Sequence, residues 1–219
     1  MIDTRSFRSF LALILVLFPA FLHATTTQSL SEKDQNLVSQ GEIIVREVPT
    51  DAQAGRTFEA IGLIDASRAT VVRVLTAYES YPEFMPNVSH IDVVDQHDNE
   101  AVLDYTLTLP LGKVKKYRLK ISASDPAADY SLIQWHLLER PELKAEGTIK
   151  NTTGYWRVEE RKPHCSLVLY HVYTDPGLVP LGVGWIVDVL SKNSVPQALL
   201  RTKARAEEIA KDPGSGKGQ

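Results

Sequence analysis

The strongest constraint on the fold is a series of short segments in which apolar and polar residues alternate one by one. In the segment AVLDYTLTL, Leu103, Tyr105 and Leu107 fall on one side of an extended chain, whereas Asp104 and Thr106 fall on the other. The segment KYRLKIS repeats this pattern, with its basic residues opposite its apolar ones. Such strands are typical of an antiparallel sheet that exposes one face to water and buries the other.

The alternation and the turn signals between segments predict nine strands. The predicted strands are Glu42 to Val48, Thr57 to Ile64, Ser89 to Val94, Ala101 to Leu109, Val114 to Ser122, Tyr130 to Glu139, Leu143 to Lys150, Gly154 to Arg161 and Cys165 to Thr174.

Helical patterns occur in three places. A short helix is predicted from Ser31 to Ser39. Asp65 is predicted to cap a second helix, which has Val71, Val74, Leu75 and Tyr78 on one face. The segment from Leu178 to Lys211 is predicted to be helical, apolar in its first half and amphipathic in its second. A long antiparallel sheet with one long terminal helix gives an α+β fold, in which that helix covers the dry face of the sheet.

Prolines divide the helical regions. Pro82 and Pro86 are expected to push Tyr81 and Met85 out of helical geometry, and Pro196 is expected to kink or divide the terminal helix near Ser194.

The amino-terminal residues are typical of a secretory signal peptide. Arg5 and Arg8 precede an apolar run from Phe10 to Leu22, which is shorter than the ~20 residues of a membrane span. The alternative is a retained membrane anchor. We therefore predict a signal peptide at 1–24, a polar segment at 25–41, one ligand-binding domain at 42–211 and a flexible tail at 212–219, in a periplasmic or secreted protein.

Composition excludes several function classes. The net charge of −3, without a basic patch, argues against nucleic acid as a partner. The sequence contains no P-loop, no GxGxxG and no Cys/His spacing for a metal, so we expect neither a cofactor nor a metal. Cys165 is the only cysteine, which means that packing rather than an internal disulfide holds the fold.

Three segments of the chain resemble parts of a START domain, the lipid-binding branch of the helix-grip superfamily. The segment GYWRVEERKPHCSLVLYHVYTDPGLVP is similar to the tryptophan strand, the long penultimate strand and the Asp-Pro-Gly turn of that family. GEIIVREV is similar to its opening strand, and YTLTLPLGKVKKYRLKIS to its central hairpin. YESYPEFMPNV is closer to the coenzyme Q-binding and polyketide cyclase-like relatives. Leu178 departs from the family, which usually has a second glycine there.

The resemblance implies a helix-grip fold, in which a sheet of about nine strands curls around the last helix and leaves an apolar tunnel. Family members bind sterols, phospholipids, quinones or other apolar molecules there. We therefore expect a monomeric carrier or sensor of a lipid, sterol or quinone, which can contact a membrane transiently, and no reaction of its own. The alternatives are a cyclase or dehydratase-like enzyme and a protein-interaction module with a filled core.

Alternation places Tyr105, Tyr117, Trp135, Trp156 and Tyr170 on the concave face of the sheet, although periodicity alone does not distinguish a filled core from a lined cavity. With Leu107 of the same strand face, the residues of the YPEFMP segment and two residues of the terminal helix, the expected ligand-binding set is Tyr81, Phe84, Met85, Tyr105, Leu107, Tyr117, Trp135, Trp156, Tyr170, Trp185 and Val189.

The ionisable residues give no catalytic prediction. Asp104 lies on the wet face of its strand, and Glu159 and Glu160 lie in a solvated charge run. His136 and His171 are expected to be satisfied or to face solvent, because no carboxylate stands at a spacing that would orient either one.

The glycines of the terminal helix suggest a gate. Gly182 and Gly184 each destabilise a helix by about 1 kcal/mol relative to alanine. One hypothesis is that Gly177 to Leu190 lifts to release ligand, with YPEFMP as the opposing lip. The alternative is that the glycines simply allow close packing on the sheet.

Cleavage of the signal peptide is directly testable. The mature chain is expected to begin at Thr25, because Ala24 ends the only small-residue site after the apolar run. Amino-terminal sequencing of protein from the envelope or medium measures this. If the protein retains Met1 and is found in a membrane fraction, the amino-terminal segment is an anchor and not a cleaved signal peptide.

Overall fold

The structure is a computed structural model that describes residues 30–50, 55–177 and 192–212. The helices are α1 (Glu32–Ser39), α2 (Arg68–Thr76), α3 (Tyr81–Phe84) and α4 (Ser194–Lys211). The strands are β1 (Ile44–Val48), β2 (Arg56–Ile64), β3 (Val88–His97), β4 (Glu100–Leu109), β5 (Lys113–Ala127), β6 (Tyr130–Leu138), β7 (Asn151–Lys162) and β8 (Cys165–Asp175).

All eight described strands form one antiparallel sheet in the order β1-β2-β8-β7-β6-β5-β4-β3. The strands from β3 to β8 follow one another as hairpins, whereas β2 pairs with the last strand, β8. The long helix α4 packs against β2 and α2. This arrangement confirms the predicted α+β helix-grip architecture.

The predicted alternation is present in the burial of the strands. In β4, Leu103, Tyr105 and Leu107 are buried, whereas Asp104 lies on the outer face. Arg118 of β5 donates two hydrogen bonds of 2.7 Å to Asp104. These bonds lower the pKa of Asp104 against the opposing effect of burial, so this carboxylate is ionised on the outer face.

One predicted strand is absent. Residues Leu143 to Lys150 alternate as a strand would, yet they form a connection that contains a 3-10 turn at Ala145–Gly147. The two strands that flank this connection, β6 and β7, pair directly with each other, so the segment has no strand edge to join. Ile149 is buried in the core instead. The described sheet therefore has eight strands rather than nine.

Two local predictions at helix ends were also wrong. The residue that caps α2 is Ser67 and not Asp65. The hydroxyl of Ser67 accepts a hydrogen bond of 3.2 Å from the backbone amide of Thr70. Tyr81 keeps helical geometry (φ −56°, ψ −38°) although it precedes Pro82. Proline in the first turn of α3 breaks no helical hydrogen bond, and the buried Tyr81 ring is fixed by a bond from its hydroxyl to the Leu75 carbonyl. Met85 is extended, as predicted.

The carboxyl-terminal helix α4 covers Ser194–Lys211. The prediction that Pro196 divides the helical segment near Ser194 concerns its first half, which lies outside the described residues. Pro196 lies in the first turn, where a missing amide proton disrupts no hydrogen bond. Lys203 Nζ donates to the Leu63 carbonyl at 2.9 Å, and the Asp65 amide donates to Glu207 at 2.9 Å. The charged half of the helix is thus tied to the end of β2.

The predictions for the signal peptide and for Leu178 to Leu190 lie outside the described residues. Within the described ranges, no helix combines the length and hydrophobicity needed to cross a bilayer.

Two adjacent leucines of α4 provide a test of how the helix is seated. Leu199 is 0% exposed and belongs to the core, whereas Leu200 is 47% exposed. Leu199→Ala is expected to lower the free energy of unfolding by about 2–5 kcal/mol, because it leaves a cavity against the sheet. The control Leu200→Ala is expected to change it by less than about 0.5 kcal/mol. Urea unfolding measures both, and equal effects would contradict this seating of α4.

Candidate ligand-binding cavity

A cavity of about 130 Å³ lies between the concave face of the sheet, the segment that follows α3 and the start of α4. Strands β4 to β8 supply most of its walls. Its predicted members are Tyr81, Met85, Tyr105, Leu107, Tyr117, Trp135, Trp156 and Tyr170. The structure therefore brings together eight of the residues that were expected to bind ligand.

Phe84 is the exception among the described residues. Its side chain is buried, but it does not line the cavity. Its ring packs edge-on against Tyr81 with 5.6 Å between the ring centres, and its carbonyl accepts a 3.5 Å hydrogen bond from Arg201 of α4. The helical turn of α3 places Tyr81 and Met85, four residues apart, at the cavity, and Phe84 joins the core. Trp185 and Val189 lie outside the described residues.

Further lining residues were not predicted. They come from the lip after α3, from the strands, from the connection before β7 and from α4: Pro86, Asn87, Val88, Leu119, Ile121, Ile133, Ile149, Thr152, Val172, Thr174, Ser194 and Ala198. Strand phase could have found Leu119 and Ile121, which alternate with Tyr117. Ile149 could not have been found in this way, because its segment is not a strand.

Two stacked aromatic pairs form part of the wall. Tyr105 and Tyr117 are cross-strand partners on β4 and β5, and their rings stack with centres 5.1 Å apart. Trp156 and Tyr170 are partners on β7 and β8, with centres 3.9 Å apart and planes at 15°. The Trp135 ring lies 5.8 Å from Tyr170. Flat apolar surfaces of this kind favour a ligand with rings or an acyl chain.

Gly154 makes room for the Trp135 ring. The two residues are cross-strand partners on β6 and β7. A Cβ atom at Gly154 would lie 2.4 Å from the Trp135 ring and 2.3 Å from the His171 carbonyl oxygen. Only glycine allows this close approach, so the sequence GYW contains both a wall residue, Trp156, and the space for another.

Several polar groups in the wall are bonded within the protein. The hydroxyl of Tyr81 donates to the Leu75 carbonyl at 2.6 Å, and the hydroxyl of Thr152 donates to the Tyr173 carbonyl at 2.8 Å. Asn87, which has a left-handed backbone with φ of 62°, donates from Nδ2 to the Ser194 hydroxyl at 2.9 Å. This last bond joins the lip after α3 to the start of α4 at the edge of the cavity.

Three phenol groups in the wall differ from Tyr81. The hydroxyls of Tyr105, Tyr117 and Tyr170 have no hydrogen-bond partner among the described residues. Burial raises the pKa of Tyr105 well above its usual range, and the phenols of Tyr81 and Tyr117 add to this effect. Burial also raises the pKa of Tyr117 and Tyr170. All three groups therefore remain protonated near neutral pH and are available as hydrogen-bond donors.

Charged groups are absent from the described part of the cavity lining, which consists of apolar, aromatic, hydroxyl and amide residues. A buried lysine on the same face of β5, Lys115, does not line the cavity. Its amino group donates to the carbonyls of Thr148 and Pro176 at 2.6 Å and 3.4 Å. Burial lowers the pKa of Lys115. This residue fixes the Asp-Pro-Gly turn to the start of β5.

A carboxylate–histidine pair lies elsewhere, on the outer face of the sheet. Glu59, only 7% exposed, accepts hydrogen bonds from His171 at 2.8 Å and from Arg46 at 2.7 Å. Burial acts to raise the pKa of Glu59, but these bonds outweigh it and leave the pKa lowered. His171 is therefore satisfied, as expected, but sequence spacing could not identify its partner, because Glu59 is far away in sequence and adjacent only in the sheet.

The second histidine, His136, is exposed on the same outer face. In the described ranges, no group of three or more His, Cys, Asp or Glu side chains is arranged to hold a metal ion.

Solved structures share this architecture at low sequence identity. A STAR-related lipid transfer protein from Xanthomonas axonopodis is 18% identical, with a TM-score of 0.62 over 75% of this chain and 93% of that one. Human StAR-related lipid transfer protein 5 is 12% identical, with a TM-score of 0.65 over 77% and 83% of the two chains. The Zhui aromatase/cyclase from a Streptomyces species is 14% identical, with a TM-score of 0.58 over 78% and 99%.

These similarities establish a fold that is shared by lipid transfer proteins and by cyclases. A sequence comparison with curated proteins found no significant match. The model of the family described as "Polyketide cyclase / dehydrase and lipid transport" matches residues 64–193, which is more than half of the chain and includes most of the cavity wall. The protein belongs to this family of polyketide cyclases, dehydrases and lipid transport proteins.

Proposed function

We propose that this protein is an exported carrier or sensor that binds one apolar small molecule, of the lipid, sterol or quinone class, between its sheet and α4. The observation that carries the proposal is an aromatic cavity whose described lining contains no charged side chain. Such a lining favours transfer of apolar surface from water, worth about 25 cal/mol for each Å² buried.

The size of the cavity limits what it can hold in this conformation. A volume of about 130 Å³ is close to that of a cavity that holds benzene, roughly 150 Å³, and well below the roughly 300–1,000 Å³ of pockets for larger ligands. One ring or a short part of an acyl chain therefore fits. A whole sterol or phospholipid requires the walls to separate.

The Asn87–Ser194 bond is one contact that such a separation would break. The gate from Gly177 to Leu190 remains a hypothesis, since it lies almost entirely outside the described residues.

Binding without chemistry is favoured over a cyclase or dehydratase reaction by the nature of the wall. General acid–base catalysis is most effective when a group titrates near the working pH. The titratable groups that line the described cavity are phenols whose pKa burial has raised. The Glu59–His171 pair, which could act as a base, lies on the opposite face of the sheet.

Ligand binding is testable with a graded series from toluene and naphthalene to cholesterol and a ubiquinone. A ligand that binds the folded state at 100 times its Kd stabilises it by about 2.7 kcal/mol, which raises Tm by roughly 5–10 °C for a domain of this size. Differential scanning calorimetry and tryptophan fluorescence measure the effect. If no member of the series changes either signal, the binding proposal fails.

Gly154 tests whether the Trp135 wall belongs to the binding site. Gly154→Ala is expected to displace the Trp135 ring, to destabilise the fold by about 1–3 kcal/mol and to weaken binding of the naphthalene-sized probes. The control is Gly147→Ala, where a Cβ would meet nothing within 4 Å and the backbone is not left-handed. Unfolding curves and titrations measure both variants, and unchanged affinity in Gly154→Ala would exclude Trp135 from the site.

A further inference from the structure

The hydroxyls of Tyr105, Tyr117 and Tyr170 have no hydrogen-bond partner among the described residues; Tyr105 is buried, and Tyr117 and Tyr170 are partly buried. Most buried polar groups in folded proteins form hydrogen bonds, because an unpaired one is destabilising. Tyr105 is only 7% exposed, and its hydroxyl has no partner among the described residues. Tyr81 is 6% exposed, and its hydroxyl donates a hydrogen bond to the Leu75 carbonyl. This fold can therefore provide a hydrogen-bond partner for a buried phenol.

The three tyrosines line the same cavity although they come from three strands. Tyr105 of β4 stacks on Tyr117 of β5, and Tyr170 of β8 stacks on Trp156 of β7. The phenol of Tyr170 contributes to the raised pKa of both Tyr105 and Tyr117, so these groups are close enough to influence each other's ionisation. The cavity therefore combines aromatic walls with a cluster of neutral donors.

We propose that Tyr105, Tyr117 and Tyr170 select a neutral ring-containing ligand that carries an acceptor oxygen, a carbonyl above all, and that one or two of their hydroxyls donate hydrogen bonds to this oxygen. The inference rests on the proposed function, since it assigns the polar end of the same ligand. It disfavours ligands whose buried end is charged, because the described wall has no cation or anion to pair with them. It also disfavours pure hydrocarbons, which leave the donors unpaired.

The test uses two probes of one shape and a size suited to the cavity. Acetophenone carries a carbonyl oxygen where α-methylstyrene carries a methylene group. Isothermal titration calorimetry gives the dissociation constant of each probe and hence the preference for the ketone over the alkene. The variants are the three single Tyr→Phe substitutions at positions 105, 117 and 170 and their combination. The matched control is Tyr155→Phe, a phenol of the same sheet that stacks on His171 on the outer face.

In the combined variant the preference for acetophenone is expected to fall at least about fivefold relative to wild type, because the buried carbonyl then loses its phenol donors. At least one single variant shows part of this loss, so a combined variant that folds poorly does not prevent the test. The Tyr155→Phe control keeps the wild-type preference. A preference that is unchanged in the combined and single variants overturns the inference while leaving the apolar site intact. If wild type binds neither probe nor any larger ligand, both the inference and the proposed function fail.

Stability of the free protein gives a second, independent measurement. Tyr105→Phe, Tyr117→Phe and Tyr170→Phe remove no hydrogen bond to a described residue and are expected to leave Tm unchanged or raised. Tyr81→Phe removes the bond to Leu75 and is expected to lower Tm. Equal losses of Tm in all four variants would show that the three hydroxyls serve the fold, which contradicts the proposal.

Discussion

The structure depends on how a broad apolar sheet face is covered by few helices. Eight strands spaced about 4.8 Å apart span roughly 34 Å, whereas a helix with its side chains is only about 10–12 Å wide. Among the described elements, α4 is the one long helix available, with the shorter α2 beside it. Leu199 and Val195 seat α4 in the core. Aromatic side chains fill part of the space that the helices leave over the sheet, and the part that stays empty is the cavity.

The same constraint explains why the cavity wall is aromatic. Long rings at Tyr105, Tyr117, Trp135 and Trp156 reach further from the sheet than aliphatic side chains, so they narrow the space that a single helix leaves. Pairing them across strands keeps the rings stacked and ordered. At Gly154 the absence of a side chain makes room instead, because it lets the Trp135 ring approach the backbone of β7. The result is an interior that is apolar in its walls and polar at a few placed hydroxyls.

The fold was largely predictable from local sequence, because one-sided strands and a terminal helix leave few ways to bury their apolar faces. The error at Leu143 to Lys150 shows the limit of periodicity: alternation is necessary for a strand, but a strand also needs a partner, and β6 and β7 already pair with each other. A residue before proline usually avoids helical geometry, but Tyr81 is helical because this geometry buries its large ring. Both cases depend on tertiary contacts that no short window of sequence contains.

The cavity was predictable only in part. Strand phase identified the aromatic residues that face inwards, since phase is a local property. It gave no sign that Tyr81 would be bonded to Leu75 while Tyr105 would not be, because that difference depends on which backbone carbonyl lies nearby. Strand phase also could not predict the bond between Glu59 and His171, because these residues are adjacent only through the pairing of β2 with the last strand, β8.

The central claim is that the cavity is a binding site and not a packing defect. Native mass spectrometry of protein purified from its own host, followed by organic extraction, tests it most directly. The account predicts a stoichiometric adduct of one neutral apolar molecule, released by the extraction and carrying at least one oxygen. A mass equal to that of the polypeptide alone, with no extractable organic molecule and no uptake when lipid extract from the same host is added, would contradict it.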